Sequence, residues 1–169
     1  IIESSETQMS KIRGNSIANI FQEPMTALNP LQTIGAQIAE VLLIHTETSK
    51  TYAMERAVKS LKQVGLNPTT VPPNRYPHQL SGGQRQRVMI AMALISKPKL
   101  IIADEPTTAL DVTTQAEILN LISDLKEVYK NTIIFITHDF GVVADVADRV
   151  VVMCKGKIIE EGNKIDVLM

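Results

Sequence analysis

The strongest constraint on the fold is a short apolar run that stops on two acids. Leu100-Ile101-Ile102-Ala103 is followed at once by Asp104 and Glu105. Four consecutive apolar residues suit a strand covered on both faces, and such strands belong to parallel sheets flanked by helices. In open α/β sheets the ligand crevice lies at the carboxyl ends of the strands, so the two acids stand where chemistry is done. One carboxylate suits a hard cation, held directly or through water. Its neighbour suits acceptance of a proton from an attacking water. A solvated strand end is the plain alternative for an isolated Asp-Glu pair.

The surroundings of this strand predict its architecture. Upstream, Ile17 to Phe21 reads as a strand running into Gln22, followed by a loop from Glu23 to Pro30 with two prolines. Ile34, Ile38, Val41 and Leu42 then recur at helical spacing. A second helix runs from its cap Ser49 to Gly65, and a third opens at Ser81 and continues through Ile95. Val71-Pro72-Pro73 to Pro77 forms a rigid connector between them. Downstream, Ile118, Leu121, Ile122, Leu125 and Tyr129 share one helical stripe over residues 112 to 129. Thr132 to Thr137 predicts another buried strand, followed by a short helix over Gly141 to Ala147. Val150 to Met153 and Lys157 to Glu161, joined at Lys155-Gly156, predict a terminal hairpin. The alternation predicts a parallel α/β sheet with an all-helical insertion over about residues 31–80.

Composition excludes several classes of function. At 169 residues the chain is about one domain long, and 44% apolar with 21% charged residues is an ordinary globular mixture. A net charge of −1 gives no electrostatic footprint for nucleic acid. The longest apolar run, Val88 to Ile95, is far below the ~20 residues needed to cross a bilayer. Cys154 is the sole cysteine, so neither an internal disulfide nor a zinc cage is available, and its strand position predicts a core residue. His45 and His78 have no context that assigns them chemistry.

A second motif is Leu80-Ser81-Gly82-Gly83-Gln84-Arg85-Gln86-Arg87. Ser81 caps a helix, and two glycines in the first turn leave backbone N–H groups open to close approach by an anion. A capped, glycine-containing helix start is the plain alternative. Together with Asp104-Glu105-Pro106-Thr107, this octet resembles the signature and Walker B motifs of ATP-binding cassette (ABC) ATPases. Ile20 to Pro30, Tyr76-Pro77-His78-Gln79 and Pro106 to Val112 resemble the oligopeptide/dipeptide importer subfamily of transporter ATP-binding subunits. The resemblance covers nearly the whole chain.

The resemblance implies a P-loop NTPase fold of RecA-like, ABC type: a partial parallel sheet, an inserted α-helical subdomain and a C-terminal β-hairpin. It divides the chain into a Q-loop strand and loop (1–30), a helical subdomain with the signature helix (31–96), and a catalytic-core part with Walker B, D-loop, switch histidine and hairpin (97–169). It implies ATP and Mg2+ as ligands. Gln22 takes the Q-loop role, reaching metal or attacking water, Asp104 the magnesium role, Glu105 the general-base role, and His138 the γ-phosphate contact. Ser81, Gly82, Gly83 and Gln84 would grip nucleotide on a partner subunit, with Asp111 in the D-loop between subunits. Asp111 also reads as a helix cap, and Gln22 and His138 with Asp139 also read as ordinary surface polar groups. Met25 and Leu28 face either the membrane subunit or the chain's own helical insertion. The implied partners are a second ABC ATPase subunit, permease subunits and, indirectly, a substrate-binding protein, with no nucleic acid. The implied location is peripheral, on the cytoplasmic face of the membrane.

One family element is missing. G-x-x-x-x-G-K-[ST] occurs nowhere in the 169 residues, and the glycines before Gln22 reduce to Gly14. Ile1 is not a methionine, and Val167-Leu168-Met169 stands in the first turns of a helix, so both ends read as cuts through a larger domain. The expectation is a chain inactive alone, with a gap or an unpaired edge where a strand is missing. A non-catalytic remnant that docks on a permease or partner cassette, and a soluble cassette ATPase of DNA repair or translation, are the competing functions.

Overall fold

Residues 3–169 are described by a computed structural model. Its centre is a parallel sheet of β1 (Ile17–Ile20), β2 (Leu100–Asp104) and β3 (Thr132–Ile136), in that spatial order. Ile20 pairs with Ala103, and Asp104 pairs with Ile136, so the three carboxyl ends lie level. The pleat sends Ala18, Ile20, Ile101 and Ala103 to one face, where they are buried, with Ile133 and Phe135 packed beside them.

That face is covered by α5 (Gly82–Ile95) and α6 (Val112–Tyr129). Val88, Ile90 and Leu94 on the first, and Ile118, Ile122 and Leu125 on the second, complete the core. The caps predicted from sequence form: Ser81 and Gln84 build a capping box, and Asp111 accepts from the Thr114 N–H. The helical insertion adds α3 (Ile34–His45) and α4 (Lys50–Gln63), packed on each other and on α5. Small residues bring α4 close to α5. Ala53 and Ala57 are fully buried, and the Ser60 hydroxyl donates to the Ala91 carbonyl at 3.1 Å. Gly65, at φ +78°, ends this arm as a left-handed residue that favours glycine. Arg87 then ties three helices together, donating to the Val64 carbonyl and pairing with Glu117 at 2.8 Å.

Several local expectations need correction. Strand β3 is covered on one face only: Ile134 and Ile136 are about half exposed. A uniformly apolar strand has the same composition whether one or both faces are covered, and here the outer face of β3 is left partly open. The segment Glu23 to Pro30 is not wholly a loop, because Pro24–Ala27 forms the short helix α2, with proline at the position where its missing N–H costs nothing. Residues Glu6–Ile12 form α1, capped by Ser5 and closed by Gln8. Cys154 is exposed rather than core. It ends β4 (Arg149–Cys154), which among the described residues pairs only with β5 (Lys157–Asn163), in a separate two-stranded sheet. Lys155 and Gly156 both have positive φ in the hairpin turn. Between come α7 (Phe140–Val146) and, last, α8 (Lys164–Leu168).

The gap expected in the sheet has a physical form. Residues Thr132 and Ile136 of β3 turn their backbone groups toward the β2 side, bonding the Lys99 carbonyl and the Glu105 N–H. By strand alternation Ile133, Phe135 and Thr137 turn theirs the other way. There a cleft of about 430 Å³ opens, lined by those residues, by α6 and α7 and by the start of β4. Asn131, a buried residue of its lining, has neither side-chain amide atom bonded among the described residues.

Candidate active site

Level strand ends deliver three side chains to one place. Gln22 lies two residues past β1, Glu105 directly past β2, and His138 two residues past β3. The Gln22 side-chain amide Nε2 donates to Glu105 Oε2 at 2.8 Å, and His138 Nδ1 lies 2.9 Å from Glu105 Oε1. The Glu105 carboxyl is held below its ordinary value, first by the hydrogen bond to His138 and then by one from Thr108. An ionised carboxylate only accepts, so Nδ1 of His138 carries the proton and Nε2 is left to face outward.

Glu105 also has an unusual backbone. Its φ is +43°, in the left-handed region that a side-chain-bearing residue seldom occupies, and its N–H donates to the Ile136 carbonyl at 2.9 Å. Thr108 stabilises this turn, which sequence reasoning passed over. Its N–H reaches the Glu105 carbonyl at 3.3 Å and its hydroxyl donates to Glu105 Oε2 at 3.0 Å. The available signal was a hydroxyl three residues after an acid, which is too common to stand out.

The remaining predicted residues are placed separately. Asp104 is exposed at the end of β2, beside Glu105. Ser81 to Gln84 open α5 and share no hydrogen bond with Gln22, Glu105 or His138. Gly83 has a packing reason: a Cβ there would stand 2.5 Å from Thr114 Cγ2. Gly82 and Arg85 instead border a cleft of about 240 Å³ with Glu23, Pro24, Met25, Ala109 and Leu110. Met25 is exposed at its edge, whereas Leu28 is buried in the chain's own core. Asp111 caps α6, accepting from both the N–H and the hydroxyl of Thr114, which hold its carboxyl below the ordinary value.

The ABC transporter family matches residues 2–108, which include Gln22, the Ser81–Arg87 stretch and the Asp104-Glu105 pair. This chain belongs to that family. Among ABC transporter relatives, it is 56% identical over 163 residues to the oligopeptide transport ATP-binding protein OppD of Bacillus subtilis, covering 96% of this chain and 46% of that protein. It is 56% identical over 161 residues to the glutathione import ATP-binding protein GsiA of Salmonella choleraesuis, covering 95% of this chain and 26% of that protein. The chain thus spans half or less of the length of these relatives. The ATP-binding cassette MJ0796, solved as a dimer in a post-hydrolysis state with ADP and Pi, superposes with a TM-score of 0.82. That match covers 96% of this chain and 68% of the cassette, at 33% identity. The P-loop NTPase architecture of this ABC chain, a parallel sheet with an antiparallel hairpin, follows from that likeness.

Within this ABC chain the donors near Glu105 suit magnesium better than a softer metal. Asp104 offers a carboxylate, and Gln22, whose Nε2 is engaged, keeps its Oε1 free. Both are hard oxygen donors, and magnesium is commonly held by one or two protein oxygens with water and phosphate completing the shell. No group of three or more His, Cys, Asp or Glu side chains forms a closed cage among the described residues. Likewise, no helix among them is long and apolar enough to cross a membrane.

Proposed function

We propose that this chain is part of the ATP-binding subunit of an ABC importer for peptides, in which ATP hydrolysis drives transport. One observation carries the reading: Gln22 and His138, from separate strand ends, converge on the carboxylate of Glu105. Phosphoryl transfer asks mainly for positioning and charge neutralisation, and a carboxylate so held is a positioned proton acceptor. Glu105 takes a proton from water as the water oxygen bonds to the terminal phosphorus. The bond from that phosphorus to the bridging oxygen breaks, and ADP and phosphate leave. His138 fixes the carboxylate through Nδ1–H, and its Nε2 donates to the terminal phosphate in the imidazolium form, where both ring nitrogens carry protons. Asp104 and Gln22 Oε1 would hold magnesium, which neutralises phosphate charge when bound.

Ser81, Gly82, Gly83 and Gln84 are assigned to nucleotide on a partner ABC subunit, and Asp111 to the seam between subunits. The dimeric state described for the MJ0796 cassette supports that assignment. Peptide transport is supported by the name of the Bacillus subtilis relative. Permease subunits, an indirectly coupled substrate-binding protein and a peripheral cytoplasmic location belong to the same proposal.

These 169 residues contain no Gly-Lys-Ser/Thr, and the expected outcome for them alone is no ATP hydrolysis. The deciding experiment reads the coding sequence upstream of Ile1, expresses the longer product and measures ATP turnover. A phosphate loop upstream, with turnover lost in Glu105→Gln, supports the proposal. No phosphate loop and no turnover favour a docking remnant instead, whereas turnover indifferent to Glu105 refutes Glu105 as the base.

A further inference from the structure

We infer that Thr108 is a positioning residue for Glu105, an inference that rests on Glu105 being the base. Glu105 Oε2 accepts two hydrogen bonds, from Gln22 and from Thr108, and Oε1 has His138 beside it. A carboxylate offers about four lone-pair directions. Three are engaged, which leaves one to take a proton and fixes where it points. The three partners are not equivalent. Gln22 and His138 stand 83 and 33 residues away, on other strands, and follow any movement of those strands. Thr108 is three residues along the same turn and closes it twice, through its hydroxyl and its N–H. It therefore stays with Glu105 when the other two part from it.

The backbone of Glu105 makes such a partner necessary. At φ +43° the residue sits where only glycine is comfortable, and such conformations persist when their surroundings over-determine them. Buried Pro106 and Thr107 anchor the turn from below. The exposed Thr108 side chain has no packing role that would explain it, so its hydroxyl bond to Glu105 is what the position supplies.

Thr108→Val keeps the shape and removes the hydroxyl, and Thr108→Ser keeps the hydroxyl. In the longer, ATP-hydrolysing product, Val lowers kcat about tenfold or more with KM for ATP unchanged, and Ser restores it. In the same longer product without nucleotide, Val shifts the NMR signals of the Gln22 side-chain amide, and Ser returns them. Unaltered kcat in Thr108→Val, or a KM effect alone, overturns the inference. So does a Gln22 signal indifferent to Val. If the longer product hydrolyses nothing, the reading of Glu105 as base fails, while the Gln22 signal still decides whether Thr108 holds the carboxylate.

Discussion

His138 Nδ1 stands 2.9 Å from Glu105 Oε1, joining the residue beyond β2 to the loop beyond β3. This contact is the largest cause of the lowered Glu105 carboxyl. A carboxyl lowered in the folded state contributes stability above its unfolded value, and the contribution is lost as pH falls through the folded value. His138→Ala is expected to move the Glu105 titration upward, toward the ordinary carboxylate range, read by 13C NMR of the side chain. Titration at an unchanged pH would show that the histidine does not govern this acid.

Asp111 should govern an acid-sensitive part of stability. Thr114 holds its carboxyl low, chiefly through the backbone N–H, so the cap acts in full at neutral pH and fails as acid reaches the folded value. Asp111→Ala is expected to melt earlier than the parent at pH 7, with the difference closing as the pH falls through the lowered Asp111 value. Asp111→Asn, itself a good cap, should melt nearly as the parent does at pH 7. A gap between parent and the Ala variant that stays constant with pH would refute the titrating cap.

Gly83 and Thr114 make a matched pair across α5 and α6. Gly83→Ala drives a methyl into Thr114 Cγ2, an overpacking that costs about 1–3 kcal/mol. Thr114→Ser removes that methyl while retaining the hydroxyl that bonds Asp111. The double variant should therefore recover most of the loss in a urea melt. Additive losses would place the strain elsewhere.

The free edge of β3 should make the chain associate. Its outward backbone groups and half-exposed Ile134 and Ile136 form a pairing hazard. Sedimentation is expected to show concentration-dependent self-association that Ile134→Lys reduces. In the cleft lining, Asn131→Leu replaces an unbonded buried amide by an apolar group of similar size and should be neutral or stabilising. A strictly monomeric chain with a sharp cooperative melt would count against the exposed edge.

Much of the site was legible because its residues stand within two positions of a strand end. Asp104 and Glu105 stood out once the apolar run before them was found, whereas Gln22 and His138 were singled out by the family resemblance and are otherwise ordinary surface polar groups. Helix caps were equally plain, since Ser49, Ser81 and Asp111 precede strong periodic segments. What escaped depends on tertiary context. The Thr108 bond exists only because Glu105 takes a left-handed backbone, and no residue type announces that at a glutamate. The exposure of Cys154 and of the outer face of β3 depends on what lies beside them, which local composition does not encode. The α1 cap, Ser5 with Gln8, was readable in principle but preceded no strong apolar pattern.

Because Gln22, Glu105 and His138 hang from three neighbouring strands, the cluster is a gauge of how those strands are aligned. A slip of one residue between β2 and β3 would carry Glu105 about 3.3 Å past His138. That is further than a hydrogen bond tolerates. All three of Gln22, Thr108 and His138 can hold the acid together only while the strands keep this alignment.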